Sequence, residues 1–518
     1  MLKALGLIGL AALALMAPAL IHGAPTGDSG GYNYVWTSQI AAEMARGVVY
    51  PRWLPQSFEG LGSPTFYFYP PLAHWLSGAF ALITDPRRAI SIAALVLLFA
   101  SGAAMYLWLR PRSSYALLGG CLYMLAPYHL ADFYERSALA EFGALAWLPL
   151  IALAIERQPR RWAGPLLAVS YAGLICTHLP LALLASAILI PPLVVWRAWR
   201  EPMVAIRCAA AGAAGLALAG FYLAPALTLQ GHTLMDQTMW GPGFEPARKS
   251  IFEFFGGEPT PGLYLMTALA LEWALVAALA LVARRDRFWA WMTLWALACA
   301  VGLIPLISLP VLEKVQFPWR ALAIAEFVGV TAAIAALPRP AALVTAVVIA
   351  LQSLVLVGHA ALGGLKEPVD PGFIARQVDA LEYLPAELRP IPTSRPRPEL
   401  DQLKGPLVRG PAASVQVAND GSVSLKATAD GVVTIRRAKF PRWQVESDQG
   451  AVPLLPGPLV NFEARAGETY QLAAVRTPAE VAGGWLSLAG LLLTALLALP
   501  PRRRRPSGTP WPSEGFSA

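Results

Sequence analysis

Charged residues are scarce in this sequence. Only 14% of the 518 residues are Asp, Glu, Lys or Arg, whereas 56% are apolar. A soluble protein of this size carries about a quarter charged residues, so the composition excludes that class and indicates a polytopic membrane protein. The net charge of +8 does not imply a nucleic-acid partner, because the cytoplasmic loops of membrane proteins collect Lys and Arg.

Cysteine is also scarce, and the nucleotide-binding motifs are missing. The four cysteines, Cys121, Cys176, Cys208 and Cys299, lie in apolar runs without a C-x-x-C spacing. This pattern predicts small buried side chains and neither disulfides nor metal ligands. No Gly-rich loop with a Walker lysine is present, so a nucleotide-driven enzyme or pump is not expected.

What the sequence does contain is about twelve apolar runs that can cross a membrane as helices. About 20 apolar residues span the roughly 30 Å hydrocarbon core, where only helices and closed barrels satisfy the backbone. The fold class is therefore an all-α polytopic membrane domain of about 12 or 13 helices. The predicted spans are residues 4–22, 89–109, 113–130, 138–155, 163–177, 180–197, 204–228, 262–283, 288–309, 319–337, 340–359 and 482–500.

Basic clusters predict the orientation of these spans. Placing them in the cytoplasm is consistent with twelve crossings and with both termini inside. Arg87 and Arg88 are the exception, so we interpret the short run 71–84 as interfacial or half-crossing; a full crossing would make thirteen. Chemistry is then expected at the extracytoplasmic face, which holds residues 23–70, 131–137, 229–261, 310–318 and 361–481 and the neighbourhood of His178.

The chain divides into four parts. Residues 1–360 form the membrane domain with the outer loop 23–70, residues 361–481 an extracytoplasmic linker and small domain, residues 482–500 the last span, and residues 501–518 a basic cytoplasmic tail. Period-two alternation with Asx-Gly turns within 414–435 predicts a small β-sandwich. The sandwich either covers the membrane domain or forms a glycan or acceptor platform, for which an exposed Trp443 is the best candidate.

The first outer loop holds the first candidate residue. Asp28 follows the first span in a Gly-rich turn, where a carboxylate can accept a proton from a sugar hydroxyl or help to hold a divalent metal. It can equally cap the following helix. Further along, Arg52 and Tyr69 bound a run rich in aromatic residues and proline, which suits an interfacial belt or a groove for lipid or sugar.

Charges near the predicted outer ends of other spans give the remaining candidates. Asp132 and Arg136 are four residues apart, so on a helix they share one face and can pair. Such charges mark either a site or a structural network. Arg136 can bind a phosphate, and Glu141 is placed to orient it.

Two single residues complete the set of candidates. His178 falls at a break between two predicted spans, either as a satisfied core residue or facing the outer cavity. Arg320 follows Phe317-Pro318-Trp319 where an outer loop re-enters the membrane. Its side chain can extend to lipid phosphates or bind the phosphate of a carrier lipid.

Together these segments resemble a family of bacterial membrane proteins labelled as related to 6-pyruvoyl-tetrahydropterin synthase, similar in plan to GT-C glycosyltransferases that use polyprenyl-phosphate sugars. The resemblance covers most of the chain. The matching residues are Gly27-Asp28, Tyr50-Pro51-Arg52-Trp53, Gly62-Ser63-Pro64, Phe68-Tyr69-Pro70-Pro71-Leu72, Tyr134-Glu135-Arg136 through Glu141 to Leu148-Pro149, and Gln316-Phe317-Pro318-Trp319-Arg320.

The resemblance implies a GT-C-like fold in the bacterial inner membrane, with membrane lipid and a polyprenyl-phosphate sugar donor as partners. Asp28 then matches the acidic residue that serves as base or metal ligand. Residues 29–31 are Ser-Gly-Gly where some members carry a second acid or a His, so a divalent metal would have few ligands, and Asp132 and Glu141 are the candidates for the second acidic contribution.

The hypothesis that follows is inverting sugar transfer at the outer face. Asp28 would orient or deprotonate the acceptor hydroxyl, while Arg136 and Arg320 would stabilise the departing phosphate, because fixed cations act strongly on charge that develops in a low-dielectric cleft. The alternatives are a lipid or glycan transporter or flippase, which predicts mid-membrane charges and broken helices, and a non-catalytic scaffold that presents the sandwich to an envelope partner.

Overall fold

The computed structural model describes residues 1–235, 261–283, 285–315, 317–362, 368–388, 403–418 and 421–499. The helices are α1 (Leu2–His22), α2 (Gly30–Ala45), α3 (Ser57–Gly60), α4 (Thr65–Phe68), α5 (Leu72–Phe80), α6 (Pro86–Leu109), α7 (Ala116–Leu125), α8 (Pro127–Tyr134), α9 (Leu139–Ala144), α10 (Trp147–Glu156), α11 (Ala163–Thr177), α12 (Leu179–Ile188), α13 (Ile190–Ala198), α14 (Met203–Leu218), α15 (Gly220–Thr228), α16 (Pro261–Ala283), α17 (Arg287–Ala300), α18 (Leu322–Ala336), α19 (Arg339–Leu362), α20 (Pro371–Ala375) and α21 (Pro478–Leu497). The predicted basic tail 501–518 and Gln316 lie outside the described residues.

Within those residues the chain is a polytopic membrane protein. Eight helical segments are long and apolar enough to cross a membrane, and a ninth is obtained if α14 and α15, which are bent by 70°, count as one span. These spans coincide with predicted runs. They are Leu2–His22, Pro86–Leu109, Leu139–Glu156, Leu179–Ala198, Met266–Ala283, Pro318–Ala336, Arg339–His359 and Pro478–Leu497.

The other predicted spans are shorter or broken. The run 113–130 divides into α7 and α8 at Pro127, which lacks the N–H that a continuous helix requires. The run 163–177 is a 15-residue helix, and 288–309 is helical only as far as Ala300. Within 71–84 the helix α5 has nine residues, about 14 Å at 1.5 Å per residue, which agrees with a half-crossing segment.

The predicted β-sandwich lies before the last helix. Its strands are antiparallel and form a three-stranded sheet of order β1-β4-β7 and a five-stranded sheet of order β2-β3-β8-β5-β6. Inward side chains alternate with outward ones, as in β3, where Val423, Leu425 and Ala427 are buried. The strands are β1 (Val408–Arg409), β2 (Ala412–Val417), β3 (Val423–Ala427), β4 (Gly431–Ala438), β5 (Trp443–Ser447), β6 (Gly450–Val452), β7 (Leu459–Ala464) and β8 (Thr469–Ala474).

Trp443 is buried, and its predicted exposure is wrong. Its side chain is 5% exposed, and its ring meets that of Trp53 edge to face at a centroid distance of 5.3 Å. The inner residues of the sandwich and those of the first outer loop form a single apolar core. This burial removes the proposed platform residue and supports the interpretation that the sandwich covers the membrane domain.

Candidate functional site

The candidate site is built from three segments that are distant in sequence. Asp132 lies in the last turn of α8 and Arg136 just after that helix. Glu141 lies in α9. Arg320 lies in a 3-10 turn, Pro318–Ala321, that leads into α18. We call Asp132, Arg136, Glu141 and Arg320 the arginine cluster.

Glu141 joins the two arginines of the cluster. Its Oε2 accepts a hydrogen bond from Arg136 Nη1 at 3.0 Å and another from Arg320 Nε at 3.1 Å. Its Oε1 accepts from the hydroxyl of Tyr128 at 2.6 Å. Both guanidinium groups therefore lie against one carboxylate, so Glu141 is placed to orient Arg136, as the sequence predicts.

Asp132 pairs with Arg136, as the spacing of four residues predicts. Arg136 Nη1 donates to Asp132 Oδ1 at 2.5 Å, whereas Asp132 Oδ2 is buried without a hydrogen-bond partner. The cluster has two acids and two arginines, so its formal charge is zero. This balance allows two cations to lie close together in an apolar environment.

The arginines are more accessible than the acids that hold them. Asp132 and Glu141 have side-chain exposures of 0% and 1%, compared with 18% for Arg136 and 13% for Arg320. Each guanidinium carries five N–H donors, and the contacts with the acids use only a few of them. Both guanidinium groups are therefore partly exposed, and an anion can approach them from the accessible side of the cluster.

Tyr69 and His178 lie beside the cluster. Burial raises the pKa of the Tyr69 hydroxyl to about 12, and Arg320, Glu141 and Arg136 all act on that hydroxyl electrostatically. His178 interacts electrostatically with the same three residues. The structure therefore brings together six of the seven predicted substrate-binding residues, namely Tyr69, Asp132, Arg136, Glu141, His178 and Arg320.

The imidazole of His178 makes one defined hydrogen bond. Its Nδ1 accepts the N–H of Leu181 at 3.3 Å and so caps α12. A neutral imidazole that accepts at Nδ1 carries its proton at Nε2, which makes that atom a hydrogen-bond donor. His178 is thus both a helix-capping residue and a neighbour of the arginine cluster.

Asp28 lies at the edge of this group, and its side chain is exposed. The turn that carries it packs on the cluster segment, because Ser29 donates its N–H to the Arg136 carbonyl at 3.1 Å. A Cβ on Gly27 would lie 1.9 Å from the Glu135 carbonyl oxygen, so this close approach requires glycine. The residue at the N-cap of α2 is Ser29, so the alternative that Asp28 caps this helix is wrong.

Arg52 belongs to a different contact. Its Nε lies 3.1 Å from Glu480 Oε1, and its guanidinium lies over the Tyr50 ring at 4.3 Å. Tyr67 also donates to Glu480, at 3.2 Å. Because Glu480 is in the first turn of α21, Arg52 joins the first outer loop to the last span and is outside the arginine cluster.

Three residues near the site were not identified from the sequence. Tyr128 donates to Glu141, as described above. Glu326, on α18, accepts the backbone N–H groups of Tyr128 and His129 at 2.7 and 3.1 Å. Glu382, in the 3-10 turn Leu381–Tyr383, interacts electrostatically with Tyr69. The sequence did carry a signal for Glu326, because it is an acid in the middle of an apolar run.

The described part of the chain contains no group of three or more His, Cys, Asp and Glu side chains placed to hold a metal ion. The two acids that the resemblance offers as additional metal ligands, Asp132 and Glu141, are both in contact with arginines. A cation there would be repelled by the two guanidinium groups. The residues present therefore do not fit a divalent metal at the cluster.

A comparison with solved structures gives a distant likeness. No protein-family model matches the chain, and no curated protein matches it. The single-particle cryo-EM structure of arabinofuranosyltransferase AftD from Mycobacteria is similar over 71% of this chain and 27% of that chain, with 18% sequence identity and a TM-score of 0.46. This chain thus spans about a quarter of that protein.

A likeness at this TM-score carries no argument about function. The name of the neighbour is that of a glycosyltransferase, whereas nothing in the comparisons supports the label related to 6-pyruvoyl-tetrahydropterin synthase. The geometry of the arginine cluster is therefore the main guide to function.

Proposed function

We propose that this protein is a membrane glycosyltransferase that moves a sugar from a polyprenyl-phosphate donor to an extracytoplasmic acceptor. The observation that carries the proposal is the meeting of Arg136 and Arg320 on the buried carboxylate of Glu141. Two partly exposed guanidinium groups held together in this way suit a phosphate, which arginine binds through paired N–H donors.

The phosphate is the leaving group in such a transfer. As the bond between the sugar C1 and the phosphate oxygen breaks, negative charge develops on that oxygen. Arg136 and Arg320 are already oriented by Glu141, so they stabilise this charge without rearranging in the transition state. The Nε2–H of His178 and the hydroxyl of Tyr69 supply further donors next to the same position.

Asp28 is proposed to act on the acceptor. Its turn packs against the Arg136 segment while its carboxylate is exposed. An acceptor hydroxyl that approaches from solvent would therefore meet Asp28 before it reaches the arginines. In this proposal Asp28 orients or deprotonates that hydroxyl, at the face of the membrane that the basic clusters predict to be extracytoplasmic.

The transporter alternative is favoured by the 70° bend between α14 and α15 and by a buried acid within a span. Glu326 is 0% exposed in α18, as expected for an intramembrane site. Both of its oxygens, however, accept backbone N–H groups at the start of α8. These hydrogen bonds are those of a helix-capping residue. Glu326 therefore has a structural role beside the arginine cluster and gives no separate reason to propose transport.

Binding of the lipid phosphate tests the proposal. We expect the protein in nanodiscs to bind undecaprenyl phosphate and not undecaprenol, as measured by native mass spectrometry. Arg136→Gln and Arg320→Gln should each weaken binding by about 10-fold to 100-fold, since hydrogen bonds to charged groups contribute about 1.5–3 kcal/mol. Arg88→Gln is the matched control, because Arg88 is an exposed arginine paired with Asp85.

Transfer is the second measurement. Membranes that contain the protein are supplied with labelled undecaprenyl-phosphate sugars, and incorporation into endogenous acceptors is followed. Asp28→Ala should reduce incorporation and leave the affinity for undecaprenyl phosphate unchanged. Equal incorporation by the wild type and Asp28→Ala would remove Asp28 from the proposal, and equal lipid affinity in the arginine variants would overturn the proposal itself.

A further inference from the structure

A short segment of the linker, residues 379–384, is fixed to the first outer loop. The buried carboxylate of Asp379 accepts hydrogen bonds from Trp36 Nε1 at 2.8 Å and from the hydroxyls of Ser57 and Thr65, both at 2.7 Å. The N–H of Ala380 donates to the same carboxylate at 2.7 Å. Three donors of the first outer loop thus hold one end of this segment in place.

The other end of the segment is fixed as well. The ring of Tyr383 stacks on Phe68, with centroids 5.9 Å apart and planes 12° from parallel. The Leu384 carbonyl accepts the N–H of Leu234 at 3.0 Å. The segment is therefore held at both ends although it is not a long regular element, and side chains between its ends are presented from a rigid support.

Glu382 lies between these two attachments, next to Tyr383, whose ring stacks on Phe68, the residue before Tyr69. Its carboxyl interacts electrostatically with Tyr69, the residue that also interacts with Arg320, Arg136 and Glu141. Asp379 and Tyr383 are the other titratable groups next to Glu382. Tyr69 is thus near both the Glu382 carboxyl and the arginine cluster.

The environment of Glu382 differs from that of Asp28. Burial raises the pKa of Glu382 to about 7, and the negative charge of Asp379 acts in the same direction. Asp28 is exposed to solvent. General bases are most effective when their pKa is near the working pH and when water does not compete for them. Glu382 meets the first criterion, and its half-buried side chain is less exposed than that of Asp28.

We infer that Glu382 is the general base of the proposed transfer and that Asp28 only orients the acceptor. The inference rests on the proposed function. It assigns the proton of the acceptor hydroxyl to Glu382, whereas the proposed function allows Asp28 to take it. The sugar acceptor would then lie over Tyr69, with its hydroxyl near Glu382 and the sugar C1 of the donor between that hydroxyl and the arginine cluster.

The step balances without a further reactant. The acceptor oxygen forms a bond to the sugar C1 while the bond from C1 to the phosphate oxygen breaks, and its electron pair stays on the phosphate. The acceptor proton passes to the Glu382 carboxylate and forms a carboxylic acid. That proton then leaves to water, which restores the carboxylate, and the polyprenyl phosphate departs with the charge that the arginines stabilised.

The test compares variants of the full-length protein in nanodiscs by the rate of transfer from undecaprenyl-phosphate sugars and by affinity for undecaprenyl phosphate. Glu382→Gln should lower the rate about 10²-fold to 10⁴-fold, the usual contribution of general-base catalysis, with unchanged lipid affinity. Glu387→Gln is the matched control, because Glu387 is an exposed acid in the next turn of the linker, Ala386–Leu388, and pairs with Lys439 at 3.5 Å. Its rate should equal that of the wild type.

The pH profile separates a chemical role from a structural one. The wild-type rate should rise through about pH 7, since only the carboxylate accepts a proton. Glu382→Asp should keep a measurable transfer rate whose rise occurs at a different pH. The residual rate of Glu382→Gln should not rise with pH. A wild-type rate in Glu382→Gln, or a rise that persists there, would overturn the inference.

Failure of the proposed function gives a different result. If the wild type neither binds undecaprenyl phosphate nor consumes any of the undecaprenyl-phosphate sugars, the transferase proposal and the role of Glu382 fall together. If binding and its dependence on Arg136 and Arg320 are found but Glu382→Gln transfers normally, only the assignment of the base is wrong. If the rise of the transfer rate with pH is instead lost in Asp28→Asn, Asp28 is the general base.

Discussion

At the scale of single residues, Glu141 has the largest predicted effect. It is almost fully buried and contacts two arginines and one tyrosine. A buried carboxylate is costly to desolvate, and this cost is offset only while its cationic partners are in place. Conversely, the two guanidinium groups depend on Glu141 for their common position, because like charges repel at this separation.

Glu141→Gln should therefore destabilise the protein. The amide cannot neutralise Arg136 and Arg320, and removal of one partner from a buried ion pair costs about 3–5 kcal/mol. The measurement is thermal unfolding in detergent. Glu201→Gln removes a 42% exposed partner of Arg197 and should change stability by less than about 1 kcal/mol. Equal melting temperatures for both variants would show that the cluster contributes little to the fold.

At the scale of elements, α8 and α18 act as one unit. Arg320 precedes α18, and Glu326 on that helix accepts the two N–H groups that open α8. An acid at a helix N-terminus satisfies free donors and is favoured by the helix dipole. Since Arg136 follows the end of α8, the Glu326 contacts help to set the distance between the two arginines.

Glu326→Ala should loosen this unit. Two buried N–H donors would lose their acceptor, at about 1–3 kcal/mol each, and Arg136 would shift relative to Arg320. We expect a lower melting temperature together with weaker binding of undecaprenyl phosphate. Thr331→Val is the control on the same helix, because it removes the hydroxyl that accepts from Trp108. It should lower stability without weakening binding; equal losses of affinity would contradict the coupling.

The elements also show how far the sequence predicts this structure. Eight of the predicted apolar runs are spans, because length and hydropathy suffice for a straight helix. The run 113–130 is not one continuous helix, because Pro127 has no N–H to donate and the chain divides there into α7 and α8. Asp132 and Arg136 pair as their spacing predicts. No spacing, however, relates Glu141 to Arg320, which is 179 residues away, and that contact exists only after helices pack.

At the scale of the whole molecule, the first outer loop and the sandwich form one body. Their apolar side chains share a core, and Trp53 packs on Trp443. The exposure of Trp443 could not be predicted, because its partner is far away in sequence. The linker joins the same body through Asp379, whose donors come from three positions in the first loop. This arrangement holds Glu382 in a fixed position relative to the membrane domain.

Asp379→Asn tests whether the charge of Asp379 affects the pKa of Glu382. The amide keeps the size of the side chain, and the hydroxyls of Ser57 and Thr65 can accept as well as donate, so the segment should stay attached. The negative charge is lost, however, and it helps to raise the pKa of Glu382. The pKa of Glu382 should fall, the carboxylate should persist at lower pH, and the rise in transfer rate should move to lower pH with an unchanged plateau.

Asp370→Asn, which alters the exposed cap of α20, should leave the rise in place. A lower plateau with an unmoved rise would mean that Asp379 only holds the segment and does not act on the base.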